Sequence, residues 1–224
     1  MTQAVIFDLD GTLTDTERVW DEVRRDLAAQ DGLEWTEANS RAVMGMSTQD
    51  WSAYMSGVAG IGATPAIAAQ RTIDGLLERY DRDLPALSGA REVIRRLAGH
   101  WPLGVASSSP RVLIEHALQS LGVRDLIAVV RSTEEGDARG KPAPDAFFWV
   151  AEQLDAEPAR TVVVEDSGNG ILAGLNAGMP VVAVPRFLPP PAEVLARASV
   201  VLDHLDDLTV ELVHRLGAGA GVRG

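Results

Sequence analysis

The sequence predicts an α/β fold: a doubly wound parallel sheet interrupted by an inserted α-helical cap subdomain. Three observations carry this. Short runs rich in Val and Ile recur along the 224 residues, each apolar throughout rather than alternating, as suits parallel strands covered on both faces. Segments of helical period separate those runs. One long stretch, about Thr16 to Leu84, contains no strand-like run, and it far exceeds a usual βα loop of a few residues.

The expected strands are Ala4–Phe7, Leu103–Ala106, Ile127–Val130, Thr161–Val164, Pro180–Val184 and Ser199–Leu202. Between them the helices carry punctuation. Ser109 can cap a helix with Pro110 at its first position, Leu113, Ala117, Leu118 and Leu121 forming the apolar face and Gly122 ending it. Ser88 can cap another, through Val93, Ile94 and Leu97. Strand and helix alternating in this way call for right-handed crossovers. The strand-free stretch reads as helices at Glu17–Ala29, Ser40–Met44, Thr48–Met55 and Pro65–Tyr80, a cap over the C-terminal end of the first strand. The Gly217–Gly224 segment is expected to be a mobile tail.

Composition narrows the function. Hydrophobic residues make up 46% and charged residues 23%, the balance of a globular protein. The formal net charge of −12 repels phosphate backbones and anionic membranes, so neither nucleic acid nor membrane is expected as a partner. A phosphorylated small molecule then needs local positive charge or a metal. There is no cysteine, which excludes disulfides, thiolate nucleophiles and cysteine-ligated zinc. No signal peptide or apolar run of membrane-spanning length is visible, so the expected location is cytoplasmic. Oligomeric state is not encoded legibly; a monomer is the default expectation.

The chemistry-bearing residues fall at predicted strand ends. Asp8 and Asp10 follow the first strand in Val-Ile-Phe-Asp-Leu-Asp-Gly-Thr, and residues two apart project to one side, so both carboxylates can face one site at the sheet edge where such folds bind ligands. A turn needs only one Asp; a pair that repels asks for a cation. Glu165 and Asp166 follow the fourth strand and precede Ser167-Gly168-Asn169-Gly170. Oxygen-only ligation without His or Cys suits Mg²⁺, with Glu165 a direct ligand or a partner of one. Lys141, in Gly-Lys-Pro-Ala-Pro-Asp, can neutralise a phosphoryl group or hold a nucleophilic carboxylate ionised, and its bond to Pro142 is a candidate for the cis form. Ser107 and Ser108 close the second strand ahead of a helix, a ready anion site.

These four motifs, in this order, resemble the haloacid dehalogenase-like superfamily, specifically its phosphatase and β-phosphoglucomutase-like branch with a helical cap. The resemblance covers essentially the whole chain: DLDGTLTDT from Asp8, the Ser107 motif, GKPAPDAF around Lys141, and EDSGNGILAGLNAG from Glu165. It implies a Rossmann-like catalytic core over residues 1–15 and 85–224 and a specificity cap over 16–84. It also implies an aspartyl phosphate on Asp8, with Asp10 as general acid and then base. Mg²⁺ would be held by Asp8, the backbone carbonyl of Asp10, Asp166 and, directly or indirectly, Glu165; Ser107, Ser108 and Lys141 would grip the phosphoryl oxygens. The expected substrate is a small phosphorylated metabolite, a sugar phosphate or nucleotide. Mutases of this branch usually carry His where Trp20 stands and Arg where Thr48 stands, so hydrolysis is expected and mutase chemistry is the runner-up.

Rival readings fare worse. Gly168-Asn169-Gly170-Ile171-Leu172-Ala173 fits a dinucleotide fingerprint, but Glu165 and Asp166 would oppose a pyrophosphate. Gly136 to Gly140 has three intervening residues where a P-loop needs four, and Ser107 lies outside a G-x-S-x-G elbow. His100, His116, His204 and His214 show no spacing that singles out a base. Met44, Met46, Trp20, Trp51 and Tyr54 are candidates for a cap pocket or for cap core. A non-catalytic metabolite-binding protein would not need a nucleophile beside a general acid.

Overall fold

The computed structural model describes residues 1–43, 46–186 and 189–219. Six strands, β1 (Ala4–Phe7), β2 (Leu103–Ser107), β3 (Ile127–Ser132), β4 (Thr161–Glu165), β5 (Val181–Ala183) and β6 (Val200–Val201), form one parallel sheet in the order β3-β2-β1-β4-β5-β6. β1, β2 and β4 are buried along their whole length, which explains their unalternating apolar sequences. β1 has β2 on one side and β4 on the other. The strand order therefore reverses there, at the switch point where open α/β sheets place their ligands.

The helices are α1 (Glu17–Gln30), α2 (Glu37–Val43), α3 (Thr48–Gly57), α4 (Pro65–Arg82), α5 (Ala90–Ala98), α6 (Arg111–Ser120), α7 (Asp145–Gln153), α8 (Gly168–Asn176), α9 (Ala192–Leu195) and α10 (Val210–Gly217). The chain divides into two compact units, Met1–Asp15 with Pro85–Gly224 and Thr16–Leu84. The first holds the sheet and α5 to α10. Its core packs Phe147 and Val150 of α7 and Ile171 of α8 against Ile6, Ala106 and Val163 of the sheet, all fully buried. Each such large side chain contributes about 1.5–3 kcal/mol on burial.

The second unit is helical. Thr64 caps α4 by accepting from the Ile67 amide at 3.3 Å, and Pro65 takes the first helical position. Ala68, Thr72, Leu76 and Tyr80, four apart, form the buried stripe of α4, and Thr72 satisfies its hydroxyl by donating to the Ala68 carbonyl at 2.8 Å. Trp20 and Trp51 meet edge to face at 5.8 Å, with the Arg24 guanidinium 4.9 and 5.6 Å from their ring centres. Burial pulls Arg24 down to about 10; the two ring faces partly replace its lost hydration. Trp20 and Trp51, 8% and 3% exposed, are thus core residues of this unit, and Met44 lies outside the described residues.

Local differences from expectation have local causes. α5 begins after Gly89, whose φ of +81° sets the turn, and neither it nor α6 receives a side-chain cap, so Ser88 and Ser109 do not cap. The helix expected at Ser40–Met44 runs Glu37–Val43 among the described residues. Gly217 closes α10 against Thr2, where a Cβ would collide; residues 220–224 of the expected tail lie outside the described ones. Among the described residues no helix is long and apolar enough to cross a membrane.

Candidate active site

Four elements of the sheet unit deliver the site. β1 ends at Phe7, and the Asp8 amide still donates to the Val164 carbonyl at 3.0 Å, so Asp8 is anchored at the switch point by the ladder itself. The chain then winds tightly: the Leu9 carbonyl accepts from the amides of Thr12, Leu13 and Thr14, and the Gly11 amide donates to the Thr14 carbonyl at 2.7 Å. Gly11 takes φ +87°, open to glycine without penalty, and a Cβ there would fall on the Asp166 carboxylate. Glycine lets the β1 loop lie against the end of β4.

Asp8, Glu165 and Asp166 each offer a carboxylate oxygen, and these atoms lie within 4.8 Å of one another. Lys141 reaches into this cluster, its Nζ donating to Asp8 Oδ1 at 2.5 Å, Glu165 Oε1 at 2.6 Å and the Ala106 carbonyl at 3.1 Å. Its side chain is 6% exposed, those of Asp8 and Glu165 8% and 1%. The Lys141–Pro142 bond that follows is cis, and Asn176 of α8 donates to the Pro142 carbonyl at 3.0 Å.

One lysine faces three carboxylates, and the protonation energetics follow from that. Burial raises Asp8 well above the usual carboxylate range; Lys141 pulls it down, but Glu165, Asp166 and Asp10 push it further up. Burial and then Glu165 raise Asp166 to about 8. Burial lowers Lys141, yet Asp8 and Glu165 outweigh it and hold the ammonium above the ordinary lysine value. The lysine stays charged, but one ammonium balances three carboxylates incompletely, so Asp8 and Asp166 hold their protons above the usual carboxylate range.

Glu165 is bound on both oxygens. Oε2 accepts from the Asp166 amide at 2.9 Å, the Ser167 amide at 2.9 Å and the Ser167 hydroxyl at 3.0 Å, while Oε1 takes Lys141. Gly170 makes room for it, since a Cβ there would overlap the Glu165 carboxylate. Ser167 in turn caps α8, its hydroxyl accepting from the Gly170 amide at 3.0 Å. Asp166 is held more lightly, Oδ1 accepting from the buried Thr12 hydroxyl at 3.2 Å.

Asp10 stands apart from the acidic cluster. Its Oδ2 accepts from the Ser109 hydroxyl at 2.7 Å and the Ser107 hydroxyl at 3.3 Å, and the Ser109 amide donates to Ser107 Oγ at 3.0 Å. Ser108 is exposed between these two buried serines. The structure thus gathers Asp8, Lys141, Glu165 and Asp166, sets Asp10 beside Ser107, and leaves Ser108 facing outward. Ser109, Thr12 and Ser167 also belong to the site; sequence reasoning treated Ser109 as a cap and left Thr12 and Ser167 unassigned.

Fold and site together define a class: doubly wound α/β enzymes with an acidic centre at the switch point. The family model for haloacid dehalogenase-like hydrolases matches residues 2–178, and the chain belongs to that family. It is 32% identical to validoxylamine A 7'-phosphate phosphatase of Streptomyces hygroscopicus subsp. limoneus, over 93% of this chain and 96% of that one. It is 28% identical to the bifunctional riboflavin kinase/FMN phosphatase of Arabidopsis thaliana over 94% of its own length, but spans only 55% of that larger protein. Its fold matches the crystal structure of β-phosphoglucomutase from Clostridium difficile with a TM-score of 0.82 over the whole of both chains, at 23% identity.

Proposed function

We propose that this protein is a Mg²⁺-dependent phosphatase that hydrolyses a small phosphorylated metabolite through an aspartyl phosphate. The observation that carries this is the buried Asp8–Lys141–Glu165 arrangement at the switch point, with Asp166 beside it and Asp10 held separately. Asp8 is the nucleophile. Lys141, charged at any working pH, favours its ionised form against burial and three like charges. Asp8 attacks phosphorus, the new carboxylate–phosphorus bond forming as the ester P–O bond breaks; Asp10 hands its proton to the departing alkoxide. Asp10 then takes a proton from water, which attacks the same phosphorus and releases inorganic phosphate and free Asp8.

The donor set fits Mg²⁺: oxygen only, clustered within 4.8 Å, and over-charged for its single lysine. Asp8 and Asp166 are the side chains that would hold it, with the Asp10 carbonyl. Glu165, engaged on both oxygens, orients Lys141 and the Asp166 amide instead. When bound, the ion supplies charge stabilisation to the phosphoryl oxygens. Ser107 and Lys141 face those oxygens, with the Ser108 amide.

Hydrolysis is favoured over phosphoryl shuttling. Trp20 and Thr48 replace the His and Arg that mutases of the resembling branch use, and Trp20 is packed into the core of the helical unit. The relatives found by sequence carry names of both kinds, phosphatases and a β-phosphoglucomutase, so the preference for hydrolysis rests on these two positions. Substrate selection is assigned to the 16–84 unit. The test is phosphate release from a panel of sugar phosphates and nucleotides, with Mg²⁺ and with EDTA. Release that requires Mg²⁺ is expected; isomer formation without release would make the protein a mutase, and no turnover of any compound would defeat the proposal.

A further inference from the structure

The geometry points to Ser109 as the positioning residue for Asp10, its hydroxyl aiming the carboxylate that transfers the proton. This rests on the assignment of Asp10 as general acid. Of the two hydroxyls on Asp10 Oδ2, Ser109 is the closer, 2.7 Å against 3.3 Å for Ser107. The shorter separation is at the optimum for an O–H···O bond, and the longer one lies outside its usual range. Ser109 is 8% exposed, so water competes little for its hydroxyl. The ordinary duty of a serine at this place in sequence is absent: α6 starts beyond Pro110 and receives no side-chain cap.

The backbone of Ser109 is fixed from both sides. Its amide donates to Ser107 Oγ at 3.0 Å, and its carbonyl accepts from Ser132 Oγ at 2.8 Å. Ser132, 1% exposed at the end of β3, also accepts from the Glu134 amide at 3.2 Å and donates its own amide to Glu135 Oε2 at 3.1 Å. Thr133 ties the same corner by donating to the Ser107 carbonyl at 2.9 Å. A carboxylate turns readily about its last torsion. Pinning Oδ2 to a hydroxyl on a fixed turn sets the plane of the group and therefore the direction of its other oxygen.

A positioning role and a merely structural one separate by leaving group. A departing sugar alkoxide needs the proton, whereas 4-nitrophenolate leaves without it. The experiment compares kcat/KM, which reports the first phosphoryl transfer, for the fastest sugar phosphate of the panel and for 4-nitrophenyl phosphate. Ser109→Ala is expected to lose about 10- to 100-fold on the sugar phosphate, a part of what general acids supply, and under about 3-fold on the aryl ester, with KM nearly constant. Ser109→Thr, which keeps a hydroxyl, is expected to recover most of the loss. Equal loss on both substrates, or no loss, overturns the inference. Asp10→Asn in the same assay separates the two levels of argument. If it is not selective for the sugar phosphate, the assignment of Asp10 falls and Ser109 with it; if it is selective and Ser109→Ala is not, only the role of Ser109 falls. Should Ser109→Ala not fold, Ser132→Ala decides: selective loss supports the inference and uniform loss overturns it.

Discussion

Replacing Lys141 by Met keeps the aliphatic stem and deletes the charge that Asp8 and Glu165 share. Both carboxylates are then buried without their counter-ion, and removing one partner of a buried pair costs about 3–5 kcal/mol. Two features shape that figure here. Glu165 keeps three donors on Oε2, which limits its penalty. Asp8, already raised by burial, can take up a proton once the lysine is gone. The sign follows from linkage: a carboxylate whose folded pKa lies above its unfolded value stabilises fully at low pH, and that contribution is lost as pH rises through the folded value. Lys141→Met is therefore expected to cost about 3 kcal/mol or more near pH 8 and clearly less near pH 5. At roughly 2–4 °C per kcal/mol for a chain of this size, the melting temperature falls by about 10 °C near pH 8. Urea unfolding in EDTA, followed by circular dichroism at both pH values, measures it. A cost under about 1 kcal/mol at pH 8, or one that shrinks as pH rises, would refute the claim that Lys141 balances this cluster.

Asp8→Asn should abolish turnover by roughly three orders of magnitude or more. In EDTA at pH 8 the same variant should be at least as stable as the parent, because it removes a charge whose burial is unfavourable; marked destabilisation in urea titrations would contradict that. Asp166, raised from 3.8 to about 8, should make the metal-free protein lose stability as pH rises from about 4 through 8. Saturating Mg²⁺ should flatten that slope, and a metal-independent profile of denaturation midpoints would count against Asp166 as a ligand. Gly11→Ala puts a Cβ onto the Asp166 carboxylate at φ +87°. It is expected to cost about 1–3 kcal/mol and to raise the Mg²⁺ concentration for half-maximal activity; unchanged metal dependence would show that the loop yields elsewhere.

What was legible in the sequence is what depends on position along the chain. Asp8 and Glu165 sit at the ends of β1 and β4, and unalternating apolar runs mark those strands because both faces are covered. Parallel pairing of β1 with β4 then brings the two carboxylates together although 157 residues separate them in the numbering. The edge of the sheet was less legible. β6 is only Val200–Val201 and half-exposed to exposed, where apolar composition overstates length because pairing is available on one side only.

Ser109 illustrates why the remainder was hidden. A serine before Pro110 satisfies every local rule for a helix cap, and those rules weigh only amides a few residues away. The fold supplies a stronger acceptor from the β1 loop, the Asp10 carboxylate, 99 residues distant, and a hydroxyl near an anionic acceptor gains more there than at a neutral helix end. The same competition bears on Glu165: followed by Asp166, it reads as a metal ligand or the partner of one, and two amides, a hydroxyl and Lys141 engage its oxygens. Residue type and spacing identify the groups that can do chemistry. Which of them act directly and which hold others in place is decided by hydrogen bonds between segments far apart in sequence. On the proposed reading, that division puts Asp8, Asp10 and Asp166 on one side and Glu165, Thr12 and Ser109 on the other.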